Sequence, residues 1–275
     1  MGKVVAIANQ KGGVGKTTTA VNLSASIGAA EKRVCLIDAD PQANASSGLG
    51  VRAGEGDITI YEVLIGEALA REAVQKAGLV DIIPSHPRLI GAEIELVSQI
   101  ARERKLKSAL SDIGGDYDFV FIDCPPSLGL LTLNTLTAAD SVLIPIQCEY
   151  YALEGLSQLL STIRMVQKHL NPDLRIEGVL LTMFDKRLKL SSQVADEAIS
   201  YFGEKVYDTI IPRNVRLGEC PSFGKPVLLY DVQSAGSRSY LKLATEFIER
   251  QRGSHPGRVP REITAGTRQA AGRSV

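Results

Sequence analysis

Between an apolar run ending at Ala8-Asn9 and a helical run beginning near Lys16, the chain reads Lys11-Gly12-Gly13-Val14-Gly15-Lys16-Thr17-Thr18. Glycines at this spacing let successive backbone N–H groups turn inward, and a helix N-terminus behind them adds its partial positive charge. That combination holds phosphates through the main chain. In such a loop Lys16 is placed for the β- and γ-phosphates of a nucleotide, the Thr17 hydroxyl for Mg²⁺ and Thr18 for the α-phosphate. The common form of the motif has Gly at position 10, whereas Gln10 stands here with Lys11 beside it. A turn without a ligand accounts for the glycines but not for two lysines and two threonines gathered at the end of an apolar strand.

Two further apolar runs end in acids. Val34-Cys35-Leu36-Ile37 leads into Asp38-Ala39-Asp40-Pro41-Gln42, and Phe119-Val120-Phe121-Ile122 leads into Asp123-Cys124-Pro125-Pro126. In open α/β sheets ligands bind at the carboxyl ends of the strands, so these acids are expected to face the phosphate loop. Asp123 is placed to hold Mg²⁺ through water, and the prolines fix the turn that follows. For each Asp, capping a helix N-terminus is the alternative role.

The elements that must position these groups follow from the pattern of the chain. Short apolar runs at 4–8, 33–38, 80–84, 119–123, 141–147, 176–183 and 206–211 alternate with helical periodicity. Strands buried on both faces of a parallel sheet read in this way, with helices as crossovers. The expected fold is α/β: a mostly parallel twisted sheet flanked by helices on both faces, the P-loop NTPase fold. Leu153, Leu156, Leu160, Ile163, Val166 and Leu170 fall at helical spacing, and so do Tyr240, Leu241, Leu243, Ala244, Phe247 and Ile248. Residues 1–252 are expected to form one ATPase domain and 253–275 a basic, disordered tail, since the apolar period stops there.

Among 275 residues, 44% are hydrophobic and 23% charged, as in an ordinary globular protein. Thirty-one basic and 31 acidic residues balance, yet residues 250–275 carry six Arg against Glu262, leaving the body mildly acidic. With no Trp, a stacking platform for single-stranded nucleic acid is not expected, and any nucleic-acid contact should be electrostatic. Cys35, Cys124, Cys148 and Cys220 show no CxxC spacing and read as structural thiols of a reducing, cytoplasmic protein. Neither a signal peptide, a myristoylation pattern nor a membrane-spanning run is present.

Lys11-Gly12-Gly13-x-Gly15-Lys16-Thr17 is the deviant Walker A motif, and with it the chain resembles the ParA/MinD family of ATPases. The resemblance covers about residues 2–250. Cys124-Pro125-Pro126-Ser127-Leu128-Gly129, Gln147-Cys148-Glu149-Tyr150-Tyr151-Ala152-Leu153-Glu154-Gly155 and Ile211-Pro212-Arg213-Asn214-Val215-Arg216-Leu217 look like its chromosomal ParA (Soj) branch. The resemblance implies that Lys11 crosses a dimer interface to the partner's nucleotide, with Gly12 the point of close approach. It also implies that Asp40 orients the attacking water and that Asp38 supports the Mg²⁺ shell. Catalysis then rests on Lys11, Lys16 and Asp40, with ATP and Mg²⁺ as cofactors. Basal turnover should be weak, since no Arg stands near the loop as a finger in cis.

The same resemblance implies an ATP-dependent homodimer that binds double-stranded DNA without sequence preference. A ParB-type centromere-binding partner releases it by stimulating hydrolysis, which makes the protein cytoplasmic and nucleoid-associated. Pro212 and Asn214 are expected at the adenine, where an amide can both donate and accept, although an ordinary turn would use the same residues. Asp185-Lys186-Arg187-Leu188-Lys189 is a polar loop, Arg216 and Lys225 are expected in later loops, and Arg187, Lys189, Arg216 and Lys225 are the expected DNA contacts. A charge run taken alone is usually a solvated face. No membrane partner is expected, because the tail lacks the apolar face of a MinD-type anchor. No second Cys shows a context matching that of Cys124, which argues against an iron–sulfur protein, and with the P-loop at residue 11 an N-terminal helix-turn-helix is not expected. A metabolic ATP-dependent synthetase of the same fold is the alternative.

Overall fold

The computed structural model describes residues 2–149 and 154–253. The seven strands are β1 (Lys3–Ile7), β2 (Val34–Asp38), β3 (Gln75–Ala77), β4 (Val80–Ile83), β5 (Phe119–Asp123), β6 (Ser141–Gln147) and β7 (Arg175–Thr182). They form one sheet in the order β3-β4-β2-β5-β1-β6-β7. Every pairing is parallel except the β3–β4 hairpin at one edge. The helices are α1 (Lys16–Ala29), α2 (Asn44–Gly48), α3 (Ile60–Ile65), α4 (Ala70–Ala73), α5 (Leu89–Glu95), α6 (Lys105–Ala109), α7 (Leu130–Ala138), α8 (Glu154–His169), α9 (Lys189–Phe202), α10 (Val215–Glu219), α11 (Val227–Tyr230) and α12 (Ala235–Gln251).

Alternation along the central strands divides the core into two layers. Val5, Ile7, Leu36 and Phe121 pack with Leu23 and Ile27 of α1 and Tyr240 and Phe247 of α12. Val4, Ala6, Cys35, Ile37, Val120 and Ile122 pack on the other side with Leu89 of α5, Leu131 of α7 and Leu160 of α8. Both layers are fully covered, which is why the strands are apolar on both faces. The register pairs Ile7 with Asp123 and Asp38 with Asp123, so two acidic strand ends lie side by side next to the chain that enters the phosphate loop.

Residues 206–211, read from sequence as a strand, do not form one. They make single bridges at Val206 and Pro212, with Tyr207 N donating to Val179 O and Ile211 N to Leu181 O. The cause is Glu246 of α12, whose carboxylate accepts from Asp208 N at 2.8 Å and Thr209 N at 2.9 Å and so removes the middle of the ladder. The helix expected over 151–170 is described as Glu154–His169. Tyr150 to Leu153 and the tail from 254 onward lie outside the described residues. Among the described residues, no helix is long and apolar enough to cross a membrane.

Candidate functional site

The phosphate loop hangs on one buried side chain. Asn9 Nδ2 donates to Pro145 O at 2.7 Å, and its Oδ1 accepts from Lys11 N at 3.0 Å. The loop's other end is tied by the Thr182 hydroxyl, which donates to Val14 O at 2.8 Å. Gly13 and Gly15 take φ of +74° and +86°, which glycine adopts without the penalty a Cβ brings. Gly15 is the N-cap of α1, yet no side chain caps that helix and its first turn contains no acid. The N–H groups of the first turn therefore remain available to an anion. Gly12 differs from Gly13 and Gly15 in that its φ is outside the left-handed range; a Cβ there, as at Gly13, would meet nothing within 4 Å.

Three carboxylates and Lys16 close on this loop with unequal bonding. Asp38 is fully buried; its Oδ2 accepts from the Ser46 backbone N–H at 2.8 Å and the Ser46 hydroxyl at 2.7 Å, while Oδ1 accepts from Asp40 N. Asp40 Oδ1 accepts from Gln42 N at 2.9 Å, closing a turn that aims the rest of the carboxylate away from the backbone. Asp123 is also fully buried, but neither of its oxygens has a partner at hydrogen-bonding geometry. Burial pushes Asp38 up to about 6 against the pull of Ser46. It pushes Asp123 well above the carboxylate range, with Asp38 adding to the effect and the nearby Thr17 hydroxyl opposing it. Lys16 is buried, and desolvation lowers its pKa while Asp123, Cys124 and Asp40 oppose the shift; its Nζ donates to Lys11 O at 3.2 Å.

Buried carboxylates without partners are costly unless a cation or proton compensates them. An orphaned Asp123 beside Asp38 and near the Thr17 hydroxyl has the oxygen-rich chemistry that suits Mg²⁺. The donor set therefore fits the ion that the motif anticipates.

Beyond Thr18 a cavity of about 190 Å³ is lined by Gly15, Thr18, Met183, Pro212, Asn214 and Tyr240. It forms because β7 ends abruptly. Met183 takes φ +52°, a conformation non-glycine residues seldom adopt, and the chain turns so that Phe184 N donates to Ile211 O and Arg213 N to Phe184 O. Pro212 and Asn214 are thereby brought to the phosphate loop. Asn214 Oδ1 accepts from Arg216 N at 3.0 Å as the N-cap of α10, which leaves its Nδ2 group to meet a base.

The same hydrogen bonds bring the loops carrying Arg187 and Arg216 together. Arg187 is held by Asp185 through bonds of 2.9 and 2.6 Å, and Arg216 pairs with Glu219 at 2.8 Å and Asp231 at 3.2 Å. Two placements differ from the sequence-based expectation. Lys189 opens α9 and so is not in the loop, and Arg216 lies in α10, because Asn214 supplies a cap the charge pattern did not advertise. Lys225 lines a cavity of about 250 Å³ with Thr17, Thr18, Asn44 and Ser47.

Asn9, Ser46, Thr182, Met183 and Tyr240 escaped the sequence reading. Only Asn9, at the end of an apolar run and next to the motif, carried a signal that could have found it. Tyr240 is buried against Thr19, with the two hydroxyls 3.2 Å apart.

Comparison with known proteins agrees with this geometry. A family model described as an AAA domain matches residues 2–176. The sporulation initiation inhibitor protein Soj of Bacillus subtilis is 58% identical over 248 residues, covering 90% of this chain and 98% of that protein. The chromosome partitioning protein ParA of Myxococcus xanthus is 55% identical over 260 residues, covering 94% and 92%. Among solved structures, cobyrinic acid a,c-diamide synthase from Mycobacterium smegmatis, with bound ADP and magnesium, superposes with a TM-score of 0.83 at 36% identity, covering 94% of this chain and 100% of that one. The chain belongs to the ParA/Soj family of chromosome-partitioning proteins and is an ATPase of the P-loop fold.

Proposed function

We propose that this chain is a DNA-segregation switch whose active unit is a pair of subunits closed by Mg²⁺-ATP. The observation that carries the proposal is Gly12. Among the described residues no atom lies within 4 Å of a Cβ built there and φ is outside the left-handed range, while the adjacent Lys11 makes no ion pair with any described residue. A glycine the fold does not need, beside a lysine the fold does not use, suits the approach of a second copy with Lys11 reaching its nucleotide.

Lys16 and the backbone N–H groups of Gly13, Val14 and Gly15 cradle the phosphates, with Thr18 behind them. Thr17, Asp38 and Asp123 hold Mg²⁺, the carboxylates through water, and Asp40 orients the attacking water. Bound Mg²⁺ supplies charge neutralisation at the transferring phosphoryl group. Pro212 and Asn214 border the adenine. Residues 1–252 serve as the ATPase unit, with 253–275 as a basic appendage. Arg187, Lys189, Arg216 and Lys225 provide phosphate contacts in the assembled pair, so DNA binding is non-specific and salt-sensitive. The ion pairs that now hold Arg187 and Arg216 are exposed, worth little, and readily exchanged for phosphate. A ParB-type protein accelerates hydrolysis and so ends DNA binding, in a cytoplasmic, nucleoid-associated cycle.

DNA co-sedimentation with ATP, ADP or no nucleotide tests this, repeated with Lys11→Ala and Asp40→Ala. Binding with ATP alone, lost with the first change and persistent with the second, is the expected pattern. A rate unaffected by DNA and a ParB-type protein but raised by a small carboxylic acid would favour the synthetase alternative.

A further inference from the structure

After the carboxyl end of β4 the chain passes through Pro84-Ser85-His86-Pro87-Arg88 into α5 and then a 3₁₀ turn, Leu96–Ser98. The inward face of this segment is ordinary, with Leu89, Ala92 and Leu96 buried in the core. The outward face is not. Ile90 and Ile94 on α5 and Val97 in the turn are 59%, 75% and 58% exposed, and Ile100, two residues past the turn and beyond the extended Gln99, is 91% exposed. Their exposed fractions together amount to on the order of 500 Å² of apolar surface, near the upper end of the largest patch found on monomeric proteins.

The position of this stripe decides what covers it. Ser85 N donates at 3.0 Å to the Ser46 hydroxyl oxygen, and that hydroxyl donates to Asp38, so the segment's entry is hydrogen-bonded to the metal-side carboxylates. Midway along α5, Glu93 lies against Gly129, where a Cβ would come within 2.2 Å of its carboxylate. Gly129 is the N-cap of α7, six residues beyond Asp123. The segment is therefore fixed at the carboxyl rim of the sheet, the rim that carries the phosphate loop.

A stable interface needs about 800 Å² from each partner, so the stripe supplies more than half of that share but not all of it. The remainder has to come from adjoining surface on the same rim, and the partner proposed to meet that rim is another copy of this chain. We propose that Ile90, Ile94, Val97 and Ile100 form an apolar flank of the ATP-dependent interface between two copies, covered by the partner subunit when the nucleotide sites close. This rests on the two-subunit reading above. The stripe then contributes affinity that Lys11 and the nucleotide do not, and its link through Ser85 and Ser46 to Asp38 places it where metal loading is felt.

The test uses the full chain carrying Asp40→Ala to hold the ATP state. All four native cysteines are buried, so Ile94→Cys introduces a single accessible thiol. Short bis-maleimide cross-linking should yield a covalent dimer with Mg²⁺-ATP and not with Mg²⁺-ADP. In parallel, Ile94→Asp should weaken ATP-dependent dimerisation at least about tenfold, as a charge set in an apolar interface does, while leaving Tm and monomer ATP binding unchanged. A dimer seen by light scattering that neither cross-links nor responds to Ile94→Asp overturns the inference and leaves the two-subunit reading standing. So does a response to a ParB-type peptide alone, which would assign the stripe to that partner. No dimer with ATP in the parent overturns both.

Discussion

A Cβ built at Gly12 meets nothing within 4 Å, and the backbone there does not require φ above zero, so Gly12→Ala sets no group against the folded subunit. Replacing a glycine at a compatible conformation removes unfolded-state entropy worth about 0.4–1 kcal/mol. For a chain of this size that raises Tm by about 1–4 °C. The neighbouring glycines behave oppositely. At Gly13 and Gly15, with φ of +74° and +86°, a Cβ costs about 1–2 kcal/mol, and Tm should fall by about 2–8 °C. Calorimetry without nucleotide reads the folding side of this comparison, and light scattering with Mg²⁺-ATP reads association. Gly12→Ala should keep or raise Tm, retain ATP binding and fail to associate. A drop in Tm of more than about 4 °C would mean that the fold itself needs this glycine. Normal Tm with normal ATP-dependent association would place the second copy's approach elsewhere and remove the main support for the two-subunit reading.

Asn214→Asp preserves the oxygen that caps α10 but loses the Nδ2 donor, so Tm should stay within a degree or two while ATP affinity falls roughly five- to tenfold, the worth of one hydrogen bond; equal affinity by titration calorimetry would remove Asn214 from the base. The buried carboxylates predict an inverted pH response. Asp38 titrates near 6 when folded against 3.8 when unfolded, so the folded chain holds the extra proton between these values and loses stability as pH rises through them. Urea unfolding in EDTA should find the parent more stable at pH 5 than at pH 7.5, relative to Asp38→Asn, by on the order of 1–3 kcal/mol. Saturating Mg²⁺-ATP should erase that difference, and a flat profile in EDTA would show that the carboxylates are already compensated. For DNA, Arg187→Ala with Arg216→Ala should lower the steepness of log affinity against log salt by about one unit for each phosphate no longer engaged. An unchanged slope in fluorescence anisotropy would place the DNA surface elsewhere.

The parts of the site that the sequence made legible are those fixed by strand ends. Asp38 and Asp123 could be paired in advance because a parallel sheet with two buried faces forces apolar runs to end at one rim, and an acid after such a run has few other places to go. The segment 206–211 has the same composition and failed. What prevents the ladder is Glu246, 37 and 38 positions away from the two N–H groups it takes and reading as one more polar residue on a helix. Arg216 was similarly misplaced into a loop because a single Asn cap starts a helix too short to show periodicity. Ile90 and Ile94 of α5 have helical spacing, but spacing alone does not say that one face of a short helix is left uncovered.

The deeper limit concerns roles and not positions. Asp38 and Asp123 end equivalent strands, sit opposite each other in register, and are equally buried, so neither register nor burial separates them. The structure separates them by what each already holds. Ser46 lies eight residues past Asp38 on α2 and commits one of its oxygens twice, whereas the chain after Asp123 turns away through Pro125 and Pro126, which have no N–H to offer. The two prolines thus leave Asp123 unpaired, and an unpaired buried carboxylate is the stronger claimant on a cation. Asp123→Asn should therefore weaken the Mg²⁺ dependence of ATP binding more than Asp38→Asn does. Ser46→Ala, by releasing Asp38, should shift the metal affinity without touching any group that contacts the nucleotide. Equal effects of the two Asp→Asn changes on the Mg²⁺ titration would mean that hydrogen bonding in the empty fold does not decide which carboxylate the ion uses.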